Sequence, residues 1–330
     1  MTTSDLPEIS LIMPSWCSAD YISAAVSSLQ AQEDVSWELV VVDDASPDNT
    51  GDVVRSLMAH DPRIVLEVLP TNSGPAAARN RAIDVSKAPF IAVLDDDDTM
   101  EPRRLRTLID IAESEGADIV IDNMFEVHEV PLGPIAGHFL DIDPDGPVSC
   151  ISLADYLDPK VAAKYGASLG YLKPVFRRKS MSVRYDTTLR NSEDFYLVAE
   201  LLALGARMVF TPTPFYRYTR RRGSLSWRMS AHNASAIVTA HERFDATYGG
   251  QMTAVERGAS RRLLRQQRDQ LVFARFVEAL KARRIGKALL ACLGKPASMP
   301  FVLSEIGRIV VEKISAFRGD SARRSRLSVE

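Results

Sequence analysis

Four consecutive carboxylates, Asp95-Asp96-Asp97-Asp98, directly follow an apolar run. They would repel one another strongly unless a cation neutralised them, and oxygen-only ligands suit hard ions such as Mg²⁺ or Mn²⁺. A metal ion of this kind can bridge a diphosphate and stabilise its charge as it leaves. The alternative is a solvated acidic turn that caps a helix beginning near Pro102. A calcium-binding loop is disfavoured, because the alternating ligands and the central Gly of such loops are missing.

Two further polar clusters also follow apolar runs. One is Pro14-Ser15-Trp16-Cys17, and the other is Asp43-Asp44-Ala45-Ser46. Ligands of open parallel sheets bind at the carboxyl ends of the strands, so the three clusters together predict one site. Asp44 suits either a hydrogen bond from a base imide N–H or ordinary turn and N-cap chemistry. Trp16 suits either stacking on a base or packing in the core.

The segments that must position these clusters alternate between short apolar runs and stretches with helical periodicity. This alternation is typical of a parallel sheet with crossover helices, and runs that are apolar on both faces suit a sheet between helix layers. Residues 130–150, with four Pro and three Gly, predict a loop insertion, and residues from about 229 onward predict helices alone. The sequence predicts strands at 9–13, 39–42, 64–69, 90–94, 118–122 and 208–210, and helices at 21–32, 48–59, 75–86, 103–115 and 191–204.

The bulk properties are those of an ordinary globular chain of 330 residues, of which 46% are hydrophobic and 25% are charged. The three cysteines are far apart and in no C-x-x-C spacing, so we expect a reducing compartment and neither a disulfide framework nor a zinc site. The first residues lack a signal-peptide pattern, and no run approaches the roughly 18 apolar residues of a membrane span. Dehydrogenase and P-loop functions are disfavoured, because neither G-x-G-x-x-G after the first strand nor a Walker A sequence is present.

Charge is distributed unevenly along the chain, whose net charge is -3. Residues 255–330 contain 17 Lys and Arg against 7 Asp and Glu, so an acidic body carries a basic tail. Apolar residues repeat at helical spacing beside these cations, within 255–292 and again within 306–317. The tail is either a helical subdomain with a solvated basic face or a surface that docks on anionic lipid headgroups. Nucleic-acid binding is disfavoured, because the acidic body would oppose it.

Five segments of the chain form a recognisable series: IMPSWCSADYISAAVSSLQAQ (12–32), ELVVVDDASPDNT (38–50), NSGPAAARNRAI (72–83), FIAVLDDDDTMEPRRL (90–105) and NSEDFYLVAELLALG (191–205). In order and spacing, these segments resemble the family-2 glycosyltransferases, which have the GT-A fold. The resemblance covers about residues 8–226. It implies a nucleotide-diphospho-sugar transferase fold, an α/β domain with a mainly parallel central sheet flanked by helices.

The resemblance also implies roles for single residues, carried over by position. Asp95 and Asp97 correspond to the metal-binding pair of the family's D-x-D element, with Asp97 as the direct ligand. The family's Tyr-Asn after the first strand is Trp16-Cys17 here, a departure from its pattern. Around the nucleotide, the resemblance implies Pro14 and Trp16 at the base, Asp44 bound to a uracil-like ring, Arg79 beside the nucleotide and Asp96 near the ribose.

Two later segments complete the predicted site. Glu193-Asp194 corresponds to the family's Glu-Asp pair, in which the Asp is the proposed general base that takes the acceptor hydroxyl's proton. Acidic residues of this kind are also preferred in the first turn of any helix. Residues 216–226 resemble the family's Arg/Gly/Ser loop, whose cations close over the diphosphate. Three arginines are candidates for that contact, Arg220, Arg221 and Arg222, and Arg222 is the one we assign.

We therefore expect a metal-dependent hexosyltransferase of the EC 2.4 type. The expected reaction is inverting transfer from a UDP-sugar, for example UDP-glucose, to a lipid-linked saccharide in bacterial exopolysaccharide or surface-glycan biosynthesis. We place it at the cytoplasmic face of the inner membrane. The expected domains are a catalytic domain over 1–228, with a nucleotide-binding half over 1–125 and an acceptor-binding half over 126–228, and a helical basic region over 229–330.

Two alternatives to this function stay open. A sugar nucleotidyltransferase would share the fold, but a Gly-rich, Arg-containing loop is expected after its first strand, and Pro14-Ser15-Trp16-Cys17 is not one. A non-catalytic nucleotide-binding component of a glycan assembly complex would bind a metal and UDP without turnover.

Overall fold

The computed structural model describes residues 6–128, 133–220 and 229–308. These residues divide into two compact units, and each unit is made of two stretches of the chain. The first unit comprises the described parts of Met1–Arg228 with Ala240–Leu263, and the second comprises Met229–Thr239 with the described part of Leu264–Glu330.

The first unit is built on a sheet of ten strands. The strands are β1 (Ile9–Ser15), β2 (Trp37–Asp43), β3 (Ile64–Val68), β4 (Phe90–Val93), β5 (Thr99–Met100), β6 (Ile119–His128), β7 (Ile135–His138), β8 (Ser149–Ile151), β9 (Val175–Arg177) and β10 (Met208–Arg220). Their order across the sheet is β3-β2-β1-β4-β9-β6-β10-β5, with β7 paired to β6 and β8 paired to β10.

Helices connect the strands and account for most of the described residues after 229. Those before that point are α1 (Ile22–Gln30), α2 (Thr50–His60), α3 (Pro75–Val85), α4 (Arg104–Ser114), α5 (Leu153–Leu157), α6 (Pro159–Tyr165) and α7 (Glu193–Ala203). They are followed by α8 (Ala231–Tyr248), α9 (Ala254–Lys281) and α10 (Ile285–Leu293), and residues 299–308 are also helical. The second basic stretch predicted from the sequence, 306–317, lies largely outside the described residues.

The described sheet is mixed, with parallel pairing in two parts. Strand β1 lies between β2 and β4, β2 pairs with β3, and β6 pairs with β10, all in parallel. Strand β9 enters antiparallel between β4 and β6. As predicted, the first strands are apolar on both faces, and Leu39, Val40, Val41 and Val42 are completely buried. Because β1, β2 and β4 run in one direction, the polar clusters that follow them lie at one edge of the sheet.

Two predictions about the later sequence were wrong. Residues 130–150 are not one long loop, because β7 pairs with β6 and β8 pairs with β10. These strands have three or four residues each and lie beside Pro and Gly, so no alternating pattern announces them. The strand predicted at 208–210 continues to Arg220. Pro212 and Pro214 conceal this continuation, because proline cannot donate to the strand ladder, and the β6–β10 register shifts around Pro214.

A buried ion pair ties α4 to the sheet. Arg104 donates from Nε and Nη2 to the carboxylate of Asp122 in β6, with Nη2 2.9 Å from Oδ1, and both side chains are completely buried. The guanidinium also donates to the backbone carbonyl of Lys173 and lies over the Tyr216 ring, 4.9 Å from its centroid. Arg104 therefore connects α4, β6, β10 and the segment that precedes β9.

Asp122→Ala should lower the free energy of unfolding by about 3–5 kcal/mol, because it leaves the Arg104 guanidinium buried without its carboxylate. Urea denaturation of the full chain measures this change. Asp52→Ala is the matched control, since Asp52 pairs with Arg55 at the surface, where the side chains are 78% and 61% exposed. Its effect should be below about 1 kcal/mol. Equal losses in the two variants would contradict the importance given to the buried pair.

Candidate active site

The turns that follow β1 and β2 are hydrogen-bonded to each other. Cys17 N–H donates to Ser46 Oγ at 3.1 Å, and Ser18 N–H donates to Thr50 Oγ1 at 2.9 Å. Cys17 has a positive φ of 53°, which turns the chain sharply after Trp16. Trp16 is 50% exposed. The alternative that Trp16 packs in the core is therefore wrong, and its indole lies at the surface next to the end of β1.

Asp43 and Asp44 end β2 and make different contacts. Asp43 accepts a hydrogen bond from Ser46 N–H within its own turn. Asp44 is buried, and its two carboxylate oxygens accept from Ser73 N–H at 2.6 Å and Gly74 N–H at 2.8 Å. These amides precede α3, where the helix dipole favours a negative charge. Turn chemistry is thus present at Asp43, while Asp44 fixes the loop that leads into α3.

Asp95 is held by two buried cations. Arg79 Nη2 lies 2.9 Å from Asp95 Oδ1, and Lys173 Nζ lies 2.6 Å from Asp95 Oδ2. Burial alone would raise the pKa of Asp95, but Lys173 and Arg79 hold that pKa well below its usual range. Burial alone would likewise lower the pKa of Lys173, which Asp95 instead raises above its ordinary value. Asp95 and Lys173 are therefore both ionised at neutral pH.

Asp96 and Asp97 continue the tetrad toward the surface of the sheet edge. Asp96 is buried and accepts a hydrogen bond from Trp16 N–H at 3.3 Å, which joins the tetrad to the turn after β1. Asp97 is half-buried. Because Cys17 N–H also donates to Ser46, the turn after β1 contacts both of the other predicted clusters at the edge of the sheet.

Asp98 is completely buried and attaches the tetrad to β10. Its Oδ1 accepts from Thr219 N–H at 2.7 Å, and its Oδ2 has no hydrogen-bond partner among the described residues. Burial, followed by the charges of Asp97 and Asp95, raises the pKa of Asp98 well above its usual range. The alternative of a solvated acidic turn that caps α4 is therefore wrong.

Arg79 also joins the tetrad to the acidic pair at the start of α7. Its Nη1 lies 2.6 Å from Glu193 Oε1 and 3.3 Å from Asp194 Oδ1. Burial alone would lower the pKa of Arg79, but Asp194, Asp95 and Glu193 raise it well above its ordinary value. The structure thus brings together four predicted site residues, Arg79, Asp95, Glu193 and Asp194, that lie far apart in the sequence.

Glu193 and Asp194 differ in exposure. The Glu193 side chain is 7% exposed and accepts a hydrogen bond from Arg79, whereas the Asp194 side chain is 21% exposed. Burial, with the charge of Asp194, raises the pKa of Glu193 to about 7. Burial and the same charge raise the pKa values of Tyr156 and Tyr185 well above their usual range. Asp194 is therefore the carboxylate of the pair that an approaching molecule can reach.

Lys173 is a site residue that the sequence did not predict, and residues 216–220 of the predicted arginine loop belong to a strand. Lys173 precedes β9, a strand that the sequence did not predict, and its neighbours form no recognisable motif, so only the folded chain reveals its contact with Asp95. Arg220 lies in β10 rather than in a loop and pairs with Glu126 of the neighbouring β6. Arg221 and the assigned Arg222 lie outside the described residues.

Comparison with known proteins identifies the family. The sequence model of glycosyl transferase family 2 matches residues 10–138. Over 300 residues, or 89% of this chain, the sequence is 33% identical to the succinoglycan biosynthesis protein ExoO of Rhizobium meliloti (strain 1021), of which 83% is covered. The chain belongs to glycosyl transferase family 2. The succinoglycan biosynthesis protein ExoU of the same strain is 31% identical to this glycosyltransferase over 325 residues, covering 96% of the chain and 91% of ExoU.

Solved structures share the fold of this family-2 glycosyltransferase. S. aureus TarS 1–349 in complex with UDP-GlcNAc has a TM-score of 0.57 at 16% identity, covering 86% of this chain and 90% of that one. Mannosyltransferase PcManGT from Pyrobaculum calidifontis, in complex with GDP-Man and Mn²⁺, has a TM-score of 0.56 at 17% identity, covering 92% and 81%. Identities this low concern the fold alone. The GT-A fold and the family predicted from the sequence are thereby confirmed.

The raised pKa of Glu193 predicts a pH-dependent stability. Folding raises this pKa from 4.5 to about 7, so between these values the native state binds a proton that the unfolded state releases, and stability falls as the pH rises. The glutamine of Glu193→Gln cannot ionise. The free energy of unfolding of this variant, relative to that of the wild type, should therefore rise by up to about 3 kcal/mol from pH 5 to pH 8.

Urea denaturation of both proteins at the two pH values measures that difference. Glu33→Gln changes an exposed glutamate and should follow the wild type throughout. A Glu193→Gln effect of the same size at both pH values would show that the carboxyl group does not titrate as described.

Proposed function

We propose that this glycosyltransferase transfers a sugar, with inversion, from a UDP-sugar such as UDP-glucose to a saccharide acceptor in exopolysaccharide or surface-glycan biosynthesis. One observation carries the proposal: Arg79 joins Asp95, at the carboxyl edge of the sheet, to Asp194 at the start of α7. This arrangement would set a nucleotide-sugar site beside a general base. The chain's similarity to two succinoglycan biosynthesis proteins supports an acceptor from exopolysaccharide biosynthesis. The TarS complex with UDP-GlcNAc supports a UDP-sugar as donor.

The uridine is proposed to lie at the ends of β1 and β2. Pro14 and the exposed indole of Trp16 are suited to cover a base at this edge. Each Asp44 oxygen already accepts one backbone N–H, and a carboxylate oxygen can accept a second donor such as a base imide N–H. Residues 1–125 would then form the nucleotide-binding half of the catalytic domain, and 126–228 the acceptor-binding half.

A divalent ion, Mn²⁺ or Mg²⁺, would be held jointly by the protein and the diphosphate. Among the described residues no group of three or more His, Cys, Asp or Glu side chains could hold a metal ion. Mg²⁺ is commonly bound by one or two carboxylates together with substrate phosphates, so the half-buried Asp97 fits this mode. Asp95 would have to release Lys173 or Arg79 to become the second predicted ligand. When bound, the ion would neutralise charge on the leaving diphosphate.

Asp194 would act as the general base. Its carboxylate accepts the proton of the acceptor hydroxyl as that oxygen bonds to the anomeric carbon, while the bond from this carbon to the diphosphate breaks on the opposite face. Glu193 is held inside by Arg79 and would position that guanidinium rather than touch the acceptor. Asp96, which accepts a hydrogen bond from Trp16 N–H, is proposed to contact the ribose, and Arg222 remains the cation proposed for the diphosphate.

We also propose that the acceptor is lipid-linked and that the enzyme is peripheral on the cytoplasmic face of the inner membrane. The basic region over 229–330 would provide the attachment, which its excess of cations supports. No single helix among the described residues has the length and apolar composition of a membrane span.

A screen of UDP-sugars with Mn²⁺ or Mg²⁺, read as UDP release, tests the reaction. Asp194→Asn should lower kcat by about 10²–10⁴, the usual effect of removing a general base. Asp97→Ala should lower turnover and raise the metal concentration needed, and chelation should abolish turnover in the wild type.

Asp52→Asn removes an exposed carboxylate and should leave UDP release unchanged. Undiminished turnover in Asp194→Asn or Asp97→Ala would overturn the role of that residue. Metal-dependent UDP binding by the wild type, without UDP release from any donor, would instead indicate a non-catalytic nucleotide-binding component.

A further inference from the structure

Helix α10 buries two small side chains and exposes three large apolar ones. Ala288 and Cys292, one turn apart, are 1% and 6% exposed, whereas Ile285, Leu290 and Leu293 are 67%, 68% and 70% exposed. On a helical wheel Leu290 and Leu293 lie close together on one face, Ala288 and Cys292 share another, and Ile285 lies beside Cys292 at the first residue of the helix. Helices of globular proteins usually show the reverse pattern, with the large apolar residues inside.

The second unit holds α10 by this small-residue face. Cys292 forms a buried cluster with Val272 of α9 and Val302 of the helical residues 299–308. In that last segment the reversal recurs, because Val302 is buried while its neighbour Leu303 is 60% exposed. The exposed leucines and isoleucine therefore belong to a packed unit and are not the result of an unattached helix.

The exposed apolar face is surrounded by positive charge. Residues 279–304 contain five Lys and Arg and neither Asp nor Glu. A groove of about 510 Å³ beside α10 is lined by Arg275, Arg284 and Lys287 together with apolar residues that include Leu290. Glu278 also lines this groove, and its carboxylate accepts a hydrogen bond from Ala231 N–H. The groove thus has the size and charge to receive a phosphate group.

We propose that α10 and residues 299–308 lie in the interface of an anionic membrane, with Ile285, Leu290 and Leu293 among the acyl chains and Arg284 and Lys287 at the headgroup phosphates. Ile285–Leu293 and Pro296–Arg308 together have the length and composition of a membrane segment, yet they are bent by 97°. This bend suits shallow insertion. A second copy of the chain fits the face less well, because pairing two copies would bring like charges together.

This mode of attachment rests on the proposed placement at a membrane and adds to it the insertion of particular apolar side chains. It does not depend on the transfer reaction, because lipid binding is measured without donor or acceptor. Loss of UDP release with retained vesicle binding would count against the proposed function alone.

The experiment is co-sedimentation of the full chain with vesicles of phosphatidylcholine alone and of phosphatidylcholine mixed equally with phosphatidylglycerol. The wild type should partition onto the anionic vesicles and detach at high salt. The double variant Leu290→Gln/Leu293→Gln should reduce partitioning on the order of tenfold or more, because it removes the inserted apolar surface. Arg284→Gln/Lys287→Gln should also reduce it by about tenfold or more.

Control variants change exposed residues of the same types elsewhere in the chain. Leu204→Gln removes an exposed leucine, and Lys87→Gln/Lys179→Gln removes two exposed cations. Both should partition as the wild type does. Insertion itself is read from Leu290→Trp, whose added indole fluorescence should be quenched by brominated acyl chains, with Leu204→Trp as the unquenched control.

Three outcomes would overturn the inference. The first is binding that is unchanged in Leu290→Gln/Leu293→Gln, which would assign attachment to other residues. The second is binding to neutral vesicles as strong as to anionic ones. The third is a wild type that does not bind vesicles but forms a concentration-dependent dimer in light scattering, which Leu290→Gln/Leu293→Gln abolishes. That result would make the exposed apolar face an interface between two copies of the chain.

Discussion

A carboxylate can be buried in its charged form only where a cation or several hydrogen-bond donors compensate it, and this constraint organises the candidate active site. Asp95 keeps its charge because Arg79 and Lys173 occupy its two oxygens. Asp98 and Glu193 are compensated less fully, and burial raises the pKa of each. The elements that carry these residues must therefore meet at one edge of the sheet, although they come from distant parts of the sequence.

A second layer of buried contacts keeps Lys173 and the backbone of Asp95 in place. Arg104 pairs with Asp122 and donates to the backbone carbonyl of Lys173, so the ammonium that reaches Asp95 is anchored from behind. Tyr216 lies under Arg104, and its hydroxyl accepts from Asp95 N–H at 3.1 Å. The position of the tetrad thus depends on residues with no predicted contact to any substrate, which explains how changes remote from the donor can affect it.

The parts of the site that can be read from the sequence are those set by local pattern. Asp44 and the tetrad follow apolar runs, and parallel strands that end together bring such turns to one edge. Lys173 could not be found in this way, because its role exists only after β9 enters the sheet antiparallel between β4 and β6. Asp98 resembles its neighbours in sequence, and its distinct environment comes from β10, whose length two prolines concealed. A single aromatic such as Trp16 carries no sequence signal that separates a surface position from a core position.

The contact of Arg79 with three carboxylates has a geometric consequence. The two terminal nitrogens of a guanidinium are held in one rigid plane, so Nη2 on Asp95 and Nη1 on Glu193 and Asp194 set the spacing between the two acidic groups. The side chain therefore fixes the distance between Asp95 and the proposed general base Asp194. A lysine at this position would supply the same charge from a single mobile nitrogen, but it would carry no fixed length.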